Sequence, residues 1–344
     1  MLDPRRVIFR WDLDKTYLRT EFDTLRDLVR TAFEPAVRKQ TVPGAASLLR
    51  AVRDAGPAGI HILSGSPEQM RRVLEQKLRL DGVHWDSFTL KPSLAKLLRG
   101  RFRFVRDQVG YKLGALLEAR AAADPDTVEM LFGDDAESDA FVYSLYADLC
   151  AGRVGPETLR AVLERARVHT AEIPRIERAA SRLPRGEAVR RIFIHLDRGS
   201  DPSVFAELGP RVCPFWNYFQ PAAVLVDEGV LEPQAALRVA ADLVLAYGFG
   251  ADGLLASVAD LARRGQLGER ATSALAAAQE AARSFGPAAS VIATFQHALG
   301  RERHSVPPPA PRDVPPIDYV GFFSRDRARA REARRRSMLR RELG

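Results

Sequence analysis

Cysteine is scarce in this sequence of 344 residues, which contains only Cys150 and Cys213 and no C-x-x-C spacing. We therefore expect neither a disulfide partner nor a cysteine-based zinc site, and a reducing cytosol is the default environment. The six histidines are scattered without the spacing of metal ligands. No apolar run approaches the roughly 20 residues that cross a bilayer, and the first residues lack a basic-then-apolar signal pattern. These absences predict a soluble, cytoplasmic protein.

Positive charge is in excess but unevenly distributed. The formal net charge is +8, while the hydrophobic share of 46% and the charged share of 28% are ordinary for a globular chain. The excess lies near the C-terminus, where Arg325 to Arg341 is rich in arginine and poor in apolar residues. We expect this tail to be a solvated helix or disordered. It could contact an anionic membrane or nucleic acid, although a solvated end without a specific partner is the more common outcome for such a run.

Three short apolar runs end in polar residues and predict strands. They are the run from Val7 into Asp12, the run from Gly59 to Leu63, and the run from Thr127 to Phe132. Segments with apolar residues at helical spacing separate them, and this alternation predicts a parallel sheet with helices on both faces. The polar residues after the strands would then share the carboxyl edge of the sheet, where α/β proteins bind ligands. A later run, 192–197, predicts one more strand of the same sheet.

The rest of the chain suggests a division into three parts. Residues 1–200 are predicted to form the α/β domain, with a helical insertion at about 151–190. Residues 201–300 are predicted to form a mainly α-helical accessory region, and residues 301–344 a Pro-rich linker and the Arg-rich tail.

Some local patterns leave alternatives or carry no chemistry. A helix is predicted over 21–33, whereas residues 81–110 fit short strands or loops around a helical patch at 93–98. The sequence at 248–253 matches G-x-G-x-x-G, but it follows a helical pattern, so we interpret it as a turn between helices. His195 alternates with apolar neighbours in a strand, and we interpret it as structural. The aromatic residues at 215–219 favour a core or an interface.

The residues at the predicted sheet edge suit phosphate chemistry, although each has a simpler interpretation. In Asp12-x-Asp14-x-Thr16, one carboxylate could attack phosphorus while the second reaches the leaving oxygen, and a divalent cation would neutralise the phosphate. The same pattern fits a turn that caps a helix.

Three further motifs follow along the chain, and each also has a plain interpretation. Ser64 and the backbone after it could hold a phosphoryl oxygen, or Ser64 could cap the next helix. Lys112 could balance charge or lie on a helix surface. Gly133-Asp134-Asp135 could hold magnesium, which prefers oxygen ligands, or form a polar loop.

The order of these motifs is more informative than any one of them. A strand with Asp-x-Asp-x-Thr, a strand with Ser, a helix with Lys and a strand with Gly-Asp followed by Asp139 resemble the haloacid dehalogenase (HAD) superfamily. Within it, the sequence is similar to the App1-like phosphatidate phosphatase domain. The pieces that carry this similarity are Leu63 to Pro67, Tyr111 to Gly114, and Leu131 to Asp134 running to Asp139. The resemblance covers roughly residues 1–150 and the strand at 192–197.

The resemblance implies a role for each matching residue. Asp12 would form an aspartyl-phosphate, and Asp14 would protonate the leaving oxygen and then activate water. Mg²⁺ would be held by Asp12, the backbone carbonyl of Asp14, and Asp134. The phosphate would be bound by Thr16, Ser64, Gly65 and Lys112, and Lys112 would also balance charge during catalysis. Asp139 would support the metal site from behind, and Asp135 stands where the family usually has a small residue, so its role as a metal ligand is left open.

Together these interpretations predict an α/β fold of the HAD-like, Rossmannoid type. It would be a capless three-layer α/β/α structure with a central parallel sheet and an α-helical C-terminal region, because the gaps between the motifs leave no room for a large cap. The predicted function is a Mg²⁺-dependent phosphatase acting on phosphatidate or another bulky phosphate. Two alternatives remain: a catalytically weak HAD-fold scaffold that binds partners through its helical region and basic tail, or a nucleic-acid-end phosphatase.

Overall fold

In a computed structural model of the chain, a six-stranded sheet forms the centre of the molecule, and its strand pairings are parallel. The structure describes residues 2–19, 35–91, 104–279, 284–301 and 316–325. The strands are β1 (Val7–Trp11), β2 (Gly59–Pro67), β3 (Ser87–Lys91), β4 (Val128–Asp134), β5 (Val189–His195) and β6 (Val212–Phe215). Their spatial order is β3-β2-β1-β4-β5-β6.

Strand β1 lies in the middle of the sheet, and apart from Arg10 its residues are apolar. All five of its residues are buried, as expected for a strand covered by helices on both sides. It pairs with β2 on one side and β4 on the other. The strand order reverses between these neighbours, and such a reversal opens a crevice at the carboxyl edge of the sheet. The residues after β1 therefore lie where a ligand site is expected.

Helices cover both faces of the sheet. They are α1 (Ala45–Asp54), α2 (Arg71–Leu80), α3 (Phe104–Ala122), α4 (Asp139–Ala151), α5 (Pro156–Arg165), α6 (Ile173–Ser181), α7 (Phe219–Asp227), α8 (Pro233–Tyr247), α9 (Ala251–Arg263), α10 (Glu269–Ala277) and α11 (Ala289–Arg301). A 3-10 helix spans Pro202–Leu208, and residues 319–325 are helical.

Two hydrophobic cores lie on opposite faces of the sheet. One contains Phe9, Trp11 and Phe132 together with buried residues of α1, α2 and the C-terminal helices α7 to α11. The other contains Leu131 and Ile192 together with buried residues of α3 to α6 and of the helical stretch 319–325. The helices predicted as an accessory region thus share a core with the central strands. This arrangement confirms the predicted three-layer α/β architecture with a helical C-terminal region.

The strands predicted from the first, second and third apolar runs are present as β1, β2 and β4. Strand β5 confirms the later strand, although it ends at His195 rather than at 197. Strand β3 lies in the region 81–110, for which the sequence fitted either short strands or loops. Strand β6 was not predicted. Phe104 and Val105 begin α3 instead of forming a strand or loop. The G-x-G-x-x-G match is a turn between helices as predicted, since α8 ends at Tyr247 and α9 begins at Ala251.

Several predictions fall outside the described residues. They concern the helix over 21–33, the helical patch at 93–98, most of the Pro-rich linker and most of the Arg-rich tail. Between Thr16 and Lys112, the described residues belong to β2, β3, α1, α2, α3 and their connections. Both cysteines are free and buried. Within the described ranges, no helix combines the length and apolarity required to cross a membrane.

Candidate active site

The loop after β1, residues 12–18, is tied closely to the sheet. The Asp12 N–H donates to the Phe132 carbonyl at 2.9 Å, which extends the β1–β4 pairing by one residue. The Leu13 carbonyl accepts bonds from the N–H groups of Tyr17 and Leu18, at 2.9 and 2.8 Å. The loop therefore turns back within five residues and leaves the Asp12 carboxylate fully buried at the carboxyl edge of β1.

Lys15 lies in a strained part of this loop. Its φ of 59° is in the left-handed region, which costs a residue with a side chain about 1–2 kcal/mol. The surrounding bonds compensate for that strain: the Lys15 N–H donates to the Leu18 carbonyl at 2.9 Å, and the Lys15 carbonyl is 2.8 Å from Nδ1 of His195. The turn between Asp14 and Thr16 is thus held from outside as well as from within.

Two serine hydroxyls bind Asp14 rather than a helix end. Ser64 and Ser66 donate to Asp14 Oδ2 at 3.0 and 2.8 Å, and the Ser66 N–H donates to Ser64 Oγ at 2.9 Å. Burial raises the pKa of Asp14, the nearby Glu137 charge adds to this effect, and the two serine bonds oppose it. Asp14 is therefore a carboxyl group able to hold a proton above its ordinary range.

Four acidic side chains form a cluster beside Asp14. One carboxylate oxygen from each of Asp12, Asp134, Glu137 and Asp139 lies within 4.8 Å of the others. Asp12, Asp134 and Asp139 are fully buried, and Glu137 retains 14% side-chain exposure. Like charges at this separation repel strongly unless protons or cations neutralise them.

Within the described residues, two oxygens of the cluster lack a hydrogen-bond donor. Asp12 Oδ1 and Asp134 Oδ2 are buried and accept no hydrogen bond, although the Lys112 ammonium lies 3.4 Å from Asp12 Oδ1 as an ion pair. The other oxygen of Asp134 accepts bonds from the N–H groups of Ala136 and Glu137, at 2.6 and 2.9 Å, and the Thr16 hydroxyl lies 3.4 Å from Asp12 Oδ2. An unpaired buried carboxylate oxygen is costly, and a hard cation with oxygen ligands would satisfy both atoms. The residues present therefore fit a magnesium ion.

Lys112 enters the cluster from α3. Its Nζ lies 2.5 Å from Asp139 Oδ1, 2.9 Å from Glu137 Oε2 and 3.4 Å from Asp12 Oδ1, and 1% of the side chain is exposed. Burial by itself lowers the pKa of Lys112, but these carboxylates outweigh it and raise the pKa well above its ordinary value. Lys112 stays charged and supplies one positive charge to four carboxylates.

The acidic residues respond to burial in the opposite direction. Burial raises the pKa of Asp12 and of Asp134 well above the ordinary range, with Lys112 opposing the shift and neighbouring carboxylates adding to it. Burial also raises the pKa of Asp139 to about 6, against the effect of Lys112. One lysine does not neutralise the cluster, which leaves it favourable for a divalent cation.

Position 133 requires glycine because the Asp139 side chain packs against it, and not because of the backbone conformation of Gly133. A Cβ at position 133 would lie 2.5 Å from Asp139 Oδ2 and 2.6 Å from Asp139 Cβ. Asp139 Oδ2 in turn accepts a bond from the Asp134 N–H at 3.3 Å. The absence of a side chain at Gly133 thus lets the Asp139 carboxylate reach the backbone of β4.

Asp135 faces away from the acidic cluster. Its two oxygens accept bonds from the N–H groups of Arg198 and Ser200, at 2.8 and 3.0 Å. Both acceptors are therefore occupied in fixing the loop after β5. This geometry gives Asp135 a part in holding that loop rather than a place among the clustered carboxylates.

The structure brings most of the predicted site residues to one place. Asp12, Asp14, Thr16, Ser64, Lys112, Asp134 and Asp139 are linked by the contacts given above, and Gly65 follows Ser64 in β2. The Asp14 carboxylate is bound by serines and is not one of the clustered carboxylates. Glu137 was not predicted as a site residue, although four acidic residues fall within 134–139 and give a signal for it.

The fold and the site define a class of protein: an α/β protein with a buried acidic cluster and a buried lysine at the carboxyl edge of its central strands. Residues 10–161 match the sequence model of the family described as "Phosphatidate phosphatase APP1, catalytic domain". The match confirms the App1-like resemblance over that segment and supports a hydrolase that acts on phosphate esters. No curated protein and no solved structure matches the chain.

Proposed function

We propose that this protein is a Mg²⁺-dependent phosphatase of the HAD type that cleaves a phosphomonoester through an aspartyl-phosphate on Asp12. The proposed substrate is phosphatidate or another bulky lipid phosphate, in line with the family description. One observation carries the proposal: the buried oxygens Asp12 Oδ1 and Asp134 Oδ2 lack donors while Lys112 and Asp14 lie beside them. Most buried polar atoms in proteins are hydrogen-bonded, so two unsatisfied carboxylate oxygens in one cluster point to a ligand.

In the first step, an Asp12 oxygen attacks phosphorus, and the bond between phosphorus and the ester oxygen breaks. Asp14 gives its proton to that leaving oxygen, a role that suits a carboxyl group whose pKa is raised by burial. In the second step, Asp14 takes a proton from water, the water oxygen bonds to phosphorus, and the bond to Asp12 breaks. Asp12 and Asp14 are then restored, and inorganic phosphate leaves.

The phosphate would be held by groups at the ends of β1 and β2. The Ser64 hydroxyl donates to Asp14 in the structure, but a hydroxyl can also accept. When substrate binds, the Ser64 O–H can turn from Asp14 to a phosphoryl oxygen, while Ser66 still donates to Asp14. Thr16, the Gly65 backbone and Lys112 would bind the remaining oxygens.

Asp12 and Asp134 would hold magnesium, with Glu137 as a further oxygen ligand from the same cluster. When bound, the ion would neutralise phosphate charge so that a carboxylate can approach phosphorus. The family resemblance also places the backbone carbonyl of Asp14 in this ligand set. Asp139 and Lys112 would support the site by fixing each other and the backbone of β4.

We also propose that the protein is cytoplasmic and that its Arg-rich tail contacts an anionic membrane. The arginines between 325 and 341 carry the charge that anionic lipid attracts. Residues 316–325 belong to the body of the protein because Tyr319, Phe322 and Phe323 are buried in the second core. A variant that ends at residue 325 therefore removes the tail without exposing that core.

The central test measures phosphate release with magnesium, from phosphatidate vesicles and from a soluble aryl phosphate. We expect Asp12→Asn to lose at least about 1,000-fold in kcat, since the nucleophile is removed. Asp126→Asn, in the turn before β4 at the opposite edge of the sheet, is the control for loss of one carboxylate and should retain activity. Equal inactivity of the wild type and Asp12→Asn across a broad panel of phosphate esters would contradict the proposal.

The variant that ends at 325 separates the tail from the chemistry. We expect it to keep activity on the soluble aryl phosphate and to lose binding to anionic vesicles. Loss of partner binding by a protein that is inactive in both forms would favour a scaffold instead. Activity restricted to nucleic-acid ends would assign the same site to a different phosphate.

A further inference from the structure

The loop that carries Asp12, Asp14 and Thr16 is held by two side chains that lie beyond residue 161, the end of the family match. His195, at the end of β5, lies with Nδ1 2.8 Å from the Lys15 carbonyl. Tyr218, just before α7, donates its hydroxyl to the Thr16 carbonyl at 2.5 Å. Two consecutive carbonyls of the loop thus accept bonds from a part of the chain to which the family match gives no role.

The Tyr218 hydroxyl is enclosed by protein. The side chain is fully buried, and burial raises its pKa well above the ordinary value, so it remains a donor. Its ring stacks on Trp11 at a centroid distance of 6.0 Å and an interplanar angle of 11°, and it meets the Phe215 ring edge-on at 5.0 Å. Tyr218 therefore connects the end of β1 to β6 and to the C-terminal helices.

His195 must carry its proton on Nδ1, because a carbonyl oxygen can only accept. Burial lowers the pKa of His195, with the Lys15 carbonyl bond and nearby carboxylates opposing the shift. The ring packs against Phe215 and Tyr218 at 5.4 and 6.0 Å between centroids. The histidine is a neutral donor fixed by the same aromatic group that holds Tyr218.

The bonds from His195 and Tyr218 fix not only the two carbonyls that accept them but also the N–H groups of the residues that follow. In a planar trans peptide the C=O of one residue and the N–H of the next point in opposite directions. The bond to His195 therefore sets the direction of the Thr16 N–H, and the bond to Tyr218 sets that of the Tyr17 N–H, which donates to the Leu13 carbonyl. Both contacts act on Thr16, whose hydroxyl lies 3.4 Å from Asp12 Oδ2.

We propose that His195 and Tyr218 are positioning residues that hold the β1 loop in the geometry required for phosphoryl transfer. The inference rests on the proposed function, and it makes β5, β6 and the start of α7 part of the active site. The strained Lys15 turn is the feature that requires such support, since its left-handed conformation is retained only when neighbouring groups hold it. Neither residue touches the phosphate.

The chain offers a matched control for Tyr218. Tyr146 is also fully buried, and its hydroxyl donates to Glu129 at 2.8 Å, towards the other end of β4. Tyr218→Phe and Tyr146→Phe each remove one buried hydroxyl from a hydrogen bond. We expect Tyr218→Phe to lower kcat on the soluble aryl phosphate about tenfold with KM nearly unchanged, because a small misplacement of reacting groups lowers the rate. Tyr146→Phe should change kcat less than about twofold, although it loses a bond to a charged acceptor.

Hydrogen exchange gives a readout that does not depend on activity. In Tyr218→Phe and in His195→Leu, the amides of residues 13–18 should exchange at least about tenfold faster than in the wild type, while Tyr146→Phe leaves them unchanged. His195→Asn should restore slow exchange and most of kcat, because its amide N–H can replace the Nδ1 donor.

The outcomes separate this inference from the function on which it rests. Unchanged exchange in Tyr218→Phe, or faster exchange with unchanged kcat, would overturn the positioning role. Equal kcat losses in Tyr218→Phe and Tyr146→Phe would also overturn it, since a general loss of stability would then be the cause. Faster loop exchange in a protein whose wild type releases no phosphate would overturn the proposed phosphatase while supporting the contacts with the loop.

Discussion

Strands β1 and β4 and helices α3 and α4 build two buried charge clusters, one at each end of β4. At the carboxyl edge is the acidic cluster with Lys112, and near the start of β4 Glu129 pairs with Arg10 of β1. The Arg10 guanidinium donates to both Glu129 oxygens at 2.7 Å, and Tyr146 adds a third bond at 2.8 Å. The contrast lies in how completely the carboxylates are paired.

The supporting helices contribute to both clusters. Helix α3 places Lys112 at one and Arg120 at the other, where Arg120 lies 4.0 Å from Glu129. Helix α4 likewise supplies Asp139 to the first and Tyr146 to the second. Burial opposes the charge of Arg10, but the Glu129 carboxylate outweighs it and raises the pKa of Arg10. In the second cluster both Glu129 oxygens accept hydrogen bonds, whereas in the first Asp12 Oδ1 and Asp134 Oδ2 accept none.

This difference shows that burial of charge alone does not mark a functional site. Most buried groups that serve the fold have their hydrogen bonds completed, as the Glu129 carboxylate does. Asp12 and Asp134 are equally buried but incompletely paired, and that deficit is what a ligand can satisfy. The comparison predicts that removal of one charge will affect stability at one end of the strands and chemistry at the other.

The largest effect on stability should come from Glu129→Gln, which leaves Arg10 buried without a counter-charge. We expect a loss of about 3–5 kcal/mol in the free energy of unfolding, measured by urea denaturation without magnesium. Asp12→Asn in the same assay should change it by less than about 1 kcal/mol, because burial already disfavours the Asp12 charge. If Asp12→Asn were as destabilising as Glu129→Gln, the distinction between the two clusters would be lost.

A smaller effect should appear when metal-free protein is compared at pH 5 and pH 8. The pKa of Asp139 is about 6 in the folded state and 3.8 for the free side chain, so the folded state holds a proton that the unfolded state releases. Stability from this group is therefore greatest below pH 4 and is lost as pH rises through 6; of a total of about 3 kcal/mol, about 1.4 kcal/mol is lost between pH 5 and pH 8. Asp12 and Asp134 should extend the loss to higher pH.

Magnesium should reverse this loss, and the size of the reversal depends on pH. We expect it to raise Tm clearly at pH 8 and little at pH 5, where protons compete for the same oxygens. Asp134→Asn, which removes one of the unpaired oxygens, should reduce the magnesium response at pH 8. An equal response to magnesium at both pH values would show that the cluster is not the binding site.

The smallest effect distinguishes two neighbouring acids. Glu137→Gln should weaken magnesium binding about tenfold, since one clustered carboxylate loses its charge. Asp135→Asn should leave the affinity nearly unchanged because Asp135 lies outside the group of clustered carboxylates and bonds the backbone N–H groups of Arg198 and Ser200 instead. Isothermal titration of both variants with magnesium measures the difference, and a reversed order would place Asp135 rather than Glu137 at the metal.

The sequence was informative where hydrophobic pattern and motif order agree. Strands β1, β2 and β4 are apolar runs that end in polar residues, and that pattern alone brings Asp12, Ser64 and Asp134 to one edge. Strand β6 was not predicted because it is four residues long and contains Pro214, which is tolerated on an edge strand. Strand β3 is also at an edge and alternates exposed and buried residues over a short span.

The two proposed positioning residues act through contacts over long sequence distances. His195 was interpreted as structural from its alternation with apolar neighbours, and the aromatic group that includes Tyr218 as core or an interface. Both are buried, but their polar atoms reach the loop about 200 residues earlier in the chain. Local pattern predicts that such residues face inward and does not specify which carbonyl they meet.

Gly133 offers a way to follow this site through evolution. Because the space at its Cα is filled by the Asp139 carboxylate, any side chain there would displace Asp139 and, with it, a contact of Lys112. The glycine is thus constrained by the Asp139 side chain and not by a turn. In related chains, a residue other than glycine at this position should accompany loss of the acid six residues later, so that the pair is inherited or abandoned together.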